Sequence, residues 1–105
     1  MKMIRAIIRP EREAQVLEGL EKAGRYAMTK LSVLGRGQQR GIQVGAVSYD
    51  ELAKLMLLLV VEDADCERVV ALIEEGAWTG HPGDGKIFVQ EVRETYTVRT
   101  GHKEL

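Results

Sequence analysis

The chain has 105 residues, and 15 Lys plus Arg against 16 Asp plus Glu leave a formal net charge of -1, which gives no basic field for nucleic acid or anionic lipid. At that length it reads as one domain over residues 1–105, able to bury about two-thirds of its unfolded surface without staples. The apolar run Leu55 to Val61 is too short to span a bilayer, Lys2 and Arg5 interrupt any signal-peptide core, and the lone Cys66 excludes an internal disulfide, so the expectation is a cytoplasmic protein with no membrane insertion and no structural metal.

In chain order, Met3 to Arg9 reads as a strand, and Pro10 sets φ for the first turn of a helix. Val16, Leu17, Leu20 and Ala23 keep helical spacing until Gly24 supplies a stop. A second strand, Thr29 to Leu34, runs into Gly35-Arg36-Gly37-Gln38-Gln39-Arg40-Gly41, where the glycines open a long loop ending near Asp50. Loops of this length tend to be functional, and the apolar Ile42, Val44 and Val47 suggest contact with a partner.

Leu52 to Val61 reads as the third strand. Asp63 or Asp65 is the expected cap of a second helix, with Val69, Val70 and Ile73 as its buried stripe before Gly76. Gly24 and Gly76 lie 52 residues apart while the stripes Leu17/Leu20 and Val70/Ile73 match at 53, which reads as an internal duplication. A turn at Thr79 to Gly85, a strand at Lys86 to Val89 and an extended tail through Arg99 complete βαββαβ. The fold class is α+β, a ferredoxin-like sandwich with an antiparallel sheet. In such a fold both helices cover one sheet face, yet Met56, Leu58 and Val60 are as apolar as Leu55, Leu57, Leu59 and Val61. The helix-free face must therefore be covered too, and another copy of the chain is the economical cover.

The stretch Thr79-Gly80-His81-Pro82-Gly83-Asp84-Gly85-Lys86-Ile87 contains Gly-x-x-x-x-Gly-Lys but is no Walker A, since Ile87 replaces Ser or Thr and a strand follows where that motif needs a helix. It reads as strong β-turn chemistry in which glycine amides and Lys86 could also meet an anion. Neither His81 nor His102 stands at a spacing that specifies a triad or dyad, so no catalytic residue is assigned and the chain is not read as an enzyme. Cys66 reads as a small boundary residue on the second helix, and Trp78 as a packing anchor.

Gly83-Asp84-Gly85-Lys86-Ile87-Phe88-Val89, preceded by Thr79-Gly80 and followed by Val98-Arg99-Thr100-Gly101, resembles the C-terminal signature of the PII signalling family. Met1 to Pro10 is similar to that family's first strand, and Met28-Thr29 with Gly35 to Gly41 to its second strand and loop entry. The resemblance implies a trimer with ATP (or ADP) in clefts between subunits. It places Ile7, Thr29, Gly35, Arg36, Gly37, Gln38 and Val60 along the nucleotide pocket, Gly83, Asp84, Gly85 and Lys86 around the phosphates, and Arg99 as a contribution from the neighbouring subunit. It also implies that Gln39 holds Mg²⁺ and 2-oxoglutarate, with Lys54 pairing a carboxylate of the keto acid. Leu58 stands where the family commonly has an acid and Thr97 where it has a second base, which bears on the preference among ATP, ADP and AMP. Tyr49 is not at the spacing of the tyrosine that some members uridylylate.

The short regulatory loop, about residues 36–51, and the tail, about 91–105, are similar to those of PII-like proteins associated with nitrogenase. That likeness implies a regulator of nitrogenase, as a homotrimer or with a second PII-like subunit, released by ATP and 2-oxoglutarate. The alternatives are a PII protein acting on glutamine synthetase or an ammonium transporter and, in another class, a trimeric enzyme or metal-binding protein of the same fold.

Overall fold

The structure is a computed structural model and describes residues 1–24, 26–36, 42–44, 47–49 and 51–105. Four strands form one antiparallel sheet: β1 (Lys2–Ile8), β2 (Thr29–Gly35), β5 (Leu52–Val61) and β6 (Gly85–Glu91), in the order β2-β5-β1-β6. Two short strands, β3 (Ile42–Val44) and β4 (Val47–Tyr49), pair antiparallel inside the segment expected to be an uninterrupted loop. Helices α1 (Glu13–Ala23) and α2 (Cys66–Ala77) follow β1 and β5, each through one 3₁₀ turn. This is the expected ferredoxin-like arrangement, with split βαβ units sharing one sheet.

Strand period and helix period meet on one face. Ile4, Ala6 and Ile8 of β1 and Leu55, Leu57, Leu59 and Val61 of β5 are buried against Val16 and Leu20 of α1 and Val69, Ile73 and Ala77 of α2. Each fully buried Leu or Ile among them contributes about 2 kcal/mol. Ile4, Ala6, Ile8, Val16 and Leu20 correspond to Leu57, Leu59, Val61, Val69 and Ile73 at a constant offset of 53, so the internal likeness runs through the core. Gly24 and Gly76 are not its equivalents. Gly24 ends α1 as the residue after Ala23, whereas α2 continues through Gly76 to Ala77 and ends at Trp78. Gly76 marks a helix crossing: a Cβ there would lie 2.8 Å from Cα of Val16, so only the bare glycine lets α2 approach α1.

Three further expectations are corrected. Neither Asp63 nor Asp65 caps a helix through its side chain, and Asp63 instead pairs with the Met1 amine at 2.9 Å and Lys2 at 3.5 Å. Trp78 lies past the end of α2 in extended backbone, outside the packed core and 69% exposed, with its ring over Gly80. The tail is not extended throughout. Beyond β6 it reverses at Val98–Thr100, with Tyr96 bridged to Lys103 and the Thr97 amide donating to the His102 carbonyl at 2.9 Å. Among the described residues, no helix is long and apolar enough to cross a membrane.

Candidate functional site

Side chains opposite one another in an antiparallel ladder share a face, so the registers give the helix-free face directly. One row runs Leu31, Met56, Ile7, Lys86; the next runs Thr29, Leu58, Arg5, Phe88; beyond it Met3 lies between Val60 and Gln90. Leu31 is 40% and Phe88 48% exposed, while Met56, Leu58 and Val60 are half-buried.

At one end of this face sits the Thr79–Gly85 turn. Gly85 opens β6 with φ +118, and a Cβ on it would fall 1.8 Å from the Ile7 carbonyl oxygen, so the close pairing of β1 with β6 requires glycine there. The Asp84 carboxylate accepts from the Thr79 amide at 2.7 Å, the Gly80 amide at 2.9 Å and the Thr79 hydroxyl. Those bonds, the Thr79 hydroxyl foremost, hold its pKa far below the ordinary carboxylate value of 3.8. Asp84 therefore organises the turn with its side chain and reaches any ligand only through its backbone.

Two cations hold the turn from the sheet. Arg9, at the end of β1, donates through Nε to Asp84 at 3.1 Å and through Nη2 to the Pro82 carbonyl at 2.8 Å. Lys54 of β5 donates to the Gly83 carbonyl at 2.5 Å. Burial, and then the nearby Arg9 guanidinium, push the Lys54 ammonium below its ordinary pKa. Lys86 is exposed and follows Gly85 on the helix-free face, opposite Ile7.

The sequence-predicted residues fall into two groups. Ile7, Gly35, Lys54, Gly83, Asp84, Gly85 and Lys86 gather at the turn end of the sheet, and the exposed Arg36 follows Gly35. Thr29 lies one row beyond Ile7 and Lys86 and Val60 two rows beyond, and six residues of strand separate Thr29 from Gly35 and likewise Lys54 from Val60, about 20 Å in each case. Arg99 belongs with this second group, because its hairpin is rooted where the Val92 amide meets the Met1 carbonyl at 3.1 Å and the Thr95 hydroxyl approaches the Met1 sulfur. A nucleotide held at Gly35 and Lys54 would have to reach about 20 Å along the sheet to meet Thr29 and Val60 of the same chain.

Gly37, Gln38 and Gln39 lie outside the described residues, as does Gly41. Among the described residues, no group of three or more His, Cys, Asp or Glu is placed to hold a metal ion. Sequence reasoning missed Arg9 and Thr79 as parts of the site. The available signal for Arg9 was its place immediately before Pro10, where the chain is confined to extended backbone and the side chain is held in one direction.

The profile of the family described as Nitrogen regulatory protein P-II matches residues 1–102. The chain is 54% identical over 105 residues to the nitrogen fixation nifHD region GlnB-like protein 1 of Methanothermobacter marburgensis, covering all of both chains. It is 56% identical over 101 residues, 96% of each chain, to the nitrogen fixation nifHD1 region GlnB-like protein 1 of Methanosarcina barkeri. It is 46% identical over 105 residues to the nitrogen regulatory protein P-II 1 of Methanothermobacter thermautotrophicus, 96% of this chain and 91% of that one. With a family match spanning nearly the whole chain and a ferredoxin-like sheet closed by a glycine-bound turn, this chain is a member of the nitrogen regulatory protein P-II family.

Proposed function

We propose that the chain is a single-domain cytoplasmic subunit of a trimer that holds ATP between subunits, senses 2-oxoglutarate with Mg²⁺ at the base of its regulatory loop, and controls nitrogenase by protein contact. The observation that carries the reading is the division of the site across the sheet. Gly83 to Lys86 stand at one end and Val60 and Arg99 toward the other, with Thr29 between, a spread that supports their serving one nucleotide from adjacent copies. The apolar helix-free face supports the same assembly, since Leu31, Met56, Leu58, Ile7 and Phe88 gain from being covered.

The residues present fit a triphosphate. Gly83 and Gly85 both have positive φ, the space a Cβ would take at Gly83 adjoins Arg9, and the Asp84 charge is already engaged within the turn. Arg9, Lys54 and Lys86 leave the turn end net positive, which suits phosphate and carboxylate oxygens. Lys54 is the residue for a keto-acid carboxylate, and Gln39 for Mg²⁺. The link to nitrogenase is supported by the relatives named for the nifHD region. The short hairpin of β3 and β4 is the element offered to the partner.

Light scattering combined with calorimetric ATP titration tests the assembly: a trimer mass with saturable ATP uptake is expected, and a monomer that takes up no ATP overturns it. In a nitrogenase assay the chain, with a second PII-like subunit if one is required, should inhibit turnover, and ATP with 2-oxoglutarate should relieve the block. Capture of glutamine synthetase or an ammonium transporter, with nitrogenase unaffected, would redirect the assignment.

A further inference from the structure

We infer that Arg9 is a positioning residue that, together with Lys54, aims the backbone amides of the Thr79–Gly85 turn at an anion, and that Arg9 acts on nucleotide phosphates through the turn without touching them. This rests on the nucleotide reading above and adds a residue to it.

Every described peptide bond is trans, so each carbonyl points opposite to the N–H of the residue that follows. Arg9 Nη2 holds the Pro82 carbonyl at 2.8 Å, which turns the Gly83 N–H away from the guanidinium. Lys54 Nζ holds the Gly83 carbonyl at 2.5 Å, which turns the Asp84 N–H away from the ammonium. Two successive amides thus face outward from a pair of cations, and successive outward amides form an anion-binding concavity.

Arg9 also removes an obstacle. Its Nε meets the Asp84 carboxylate, which would otherwise set an uncompensated negative charge beside an incoming phosphate. The planar guanidinium presents Nε–H and Nη2–H in a fixed fork that meets the Asp84 carboxylate and the Pro82 carbonyl together, whereas the three donors of a Lys ammonium radiate from one nitrogen and lack that fork. Arg9 can act this way because its side chain is largely covered and its backbone, at φ -67 and ψ 134, is confined by Pro10. Arg12 offers the contrast. It donates to the Gly76 carbonyl at 2.9 Å, between the helices, and does not contact the turn.

The test titrates ATP, and separately adenosine, which keeps base and sugar but carries no phosphate, into wild type, Arg9→Gln, Arg9→Lys and Arg12→Gln. Arg9→Gln should lose roughly tenfold in ATP affinity, the worth of a charge-assisted hydrogen bond, with adenosine affinity and oligomer mass unchanged. Arg9→Lys should fall between wild type and Arg9→Gln, and it carries the test if Arg9→Gln does not fold. Arg12→Gln should lose stability without a selective loss for ATP. Arg9 variants with wild-type ATP affinity, or with equal losses for ATP and adenosine, overturn the positioning role alone. A wild-type protein that takes up no ATP overturns the nucleotide reading and this role with it.

Discussion

The Lys54 ammonium and the Gly83 carbonyl, 2.5 Å apart, tie a central strand to a turn 29 residues further along the chain. An ammonium has three donors, so Lys54 can keep Gly83 and still offer charge to a carboxylate. In this way the proposed keto-acid residue and the proposed phosphate turn share one group.

That contact gives a pH prediction with two opposite signs. Burial first, and Arg9 second, lower the Lys54 pKa from its ordinary 10.5. Between the lowered value and 10.5 the unfolded chain binds more protons at this site than the folded one, so its contribution to stability rises with pH across that window. Carboxylate binding needs the charged form and runs the other way. Affinity for 2-oxoglutarate, measured in the presence of Mg-ATP, should fall as pH climbs into the window, and Lys54→Arg should flatten the fall. An affinity that stays level up to 10.5 would remove the ammonium from the site.

Two glycines carry contrasting stability predictions. Gly85→Ala puts a methyl group 1.8 Å from the Ile7 carbonyl oxygen in a strained φ, and should cost about 3 kcal/mol or more because backbone must move in both strands. Gly76→Ala meets Val16 backbone at 2.8 Å, and should cost about 1–3 kcal/mol by spreading the helices. Urea denaturation measures both. A wild-type midpoint for Gly85→Ala would contradict the β1–β6 pairing.

The core was legible in the sequence because both periods agree with burial: Ile4, Ala6 and Ile8 alternate along β1, and Val69 and Ile73 keep helical spacing along α2. Where local chemistry had two uses, the local reading failed. Gly76 has the composition of a helix stop, yet it serves a contact with Val16 sixty residues away that no local pattern encodes. Asp63 has the composition of a cap, yet its partners are Met1 and Lys2 at the far end of the chain. Arg9 could not be assigned for the same reason, since Pro82 and Asp84 reach it only once β6 pairs with β1. The family likeness named Thr29 and Val60 beside Gly35, but residue identity does not encode the distance along β5 that divides them.

The helix-free face supplies the assembly prediction. Leu31 is 40% exposed in the single chain, so Leu31→Asp removes little from the chain's own core but places a charge where a second copy should bury apolar surface. Its mass by light scattering should drop to that of a monomer while its circular dichroism stays that of wild type. A Leu31→Asp protein that retains the trimer mass would place the contact on another face.

The division of the site is tested most directly by mixing two inactive proteins. Lys86 belongs to the turn end of the sheet and Arg99 to the hairpin rooted at the other, and in the proposed assembly each site would draw Lys86 from one copy and Arg99 from the next. Lys86→Ala and Arg99→Ala should each weaken ATP binding by roughly tenfold or more through loss of a charged phosphate contact. If the two variants are dissociated and reassembled together, some clefts pair the intact Lys86 of one variant with the intact Arg99 of the other, and those clefts should recover wild-type affinity. Calorimetry of the mixture would then resolve a tight fraction that neither variant has alone. If both residues served one cleft from one chain, every site in the mixture would carry a lesion, and no tight fraction could form at any mixing ratio.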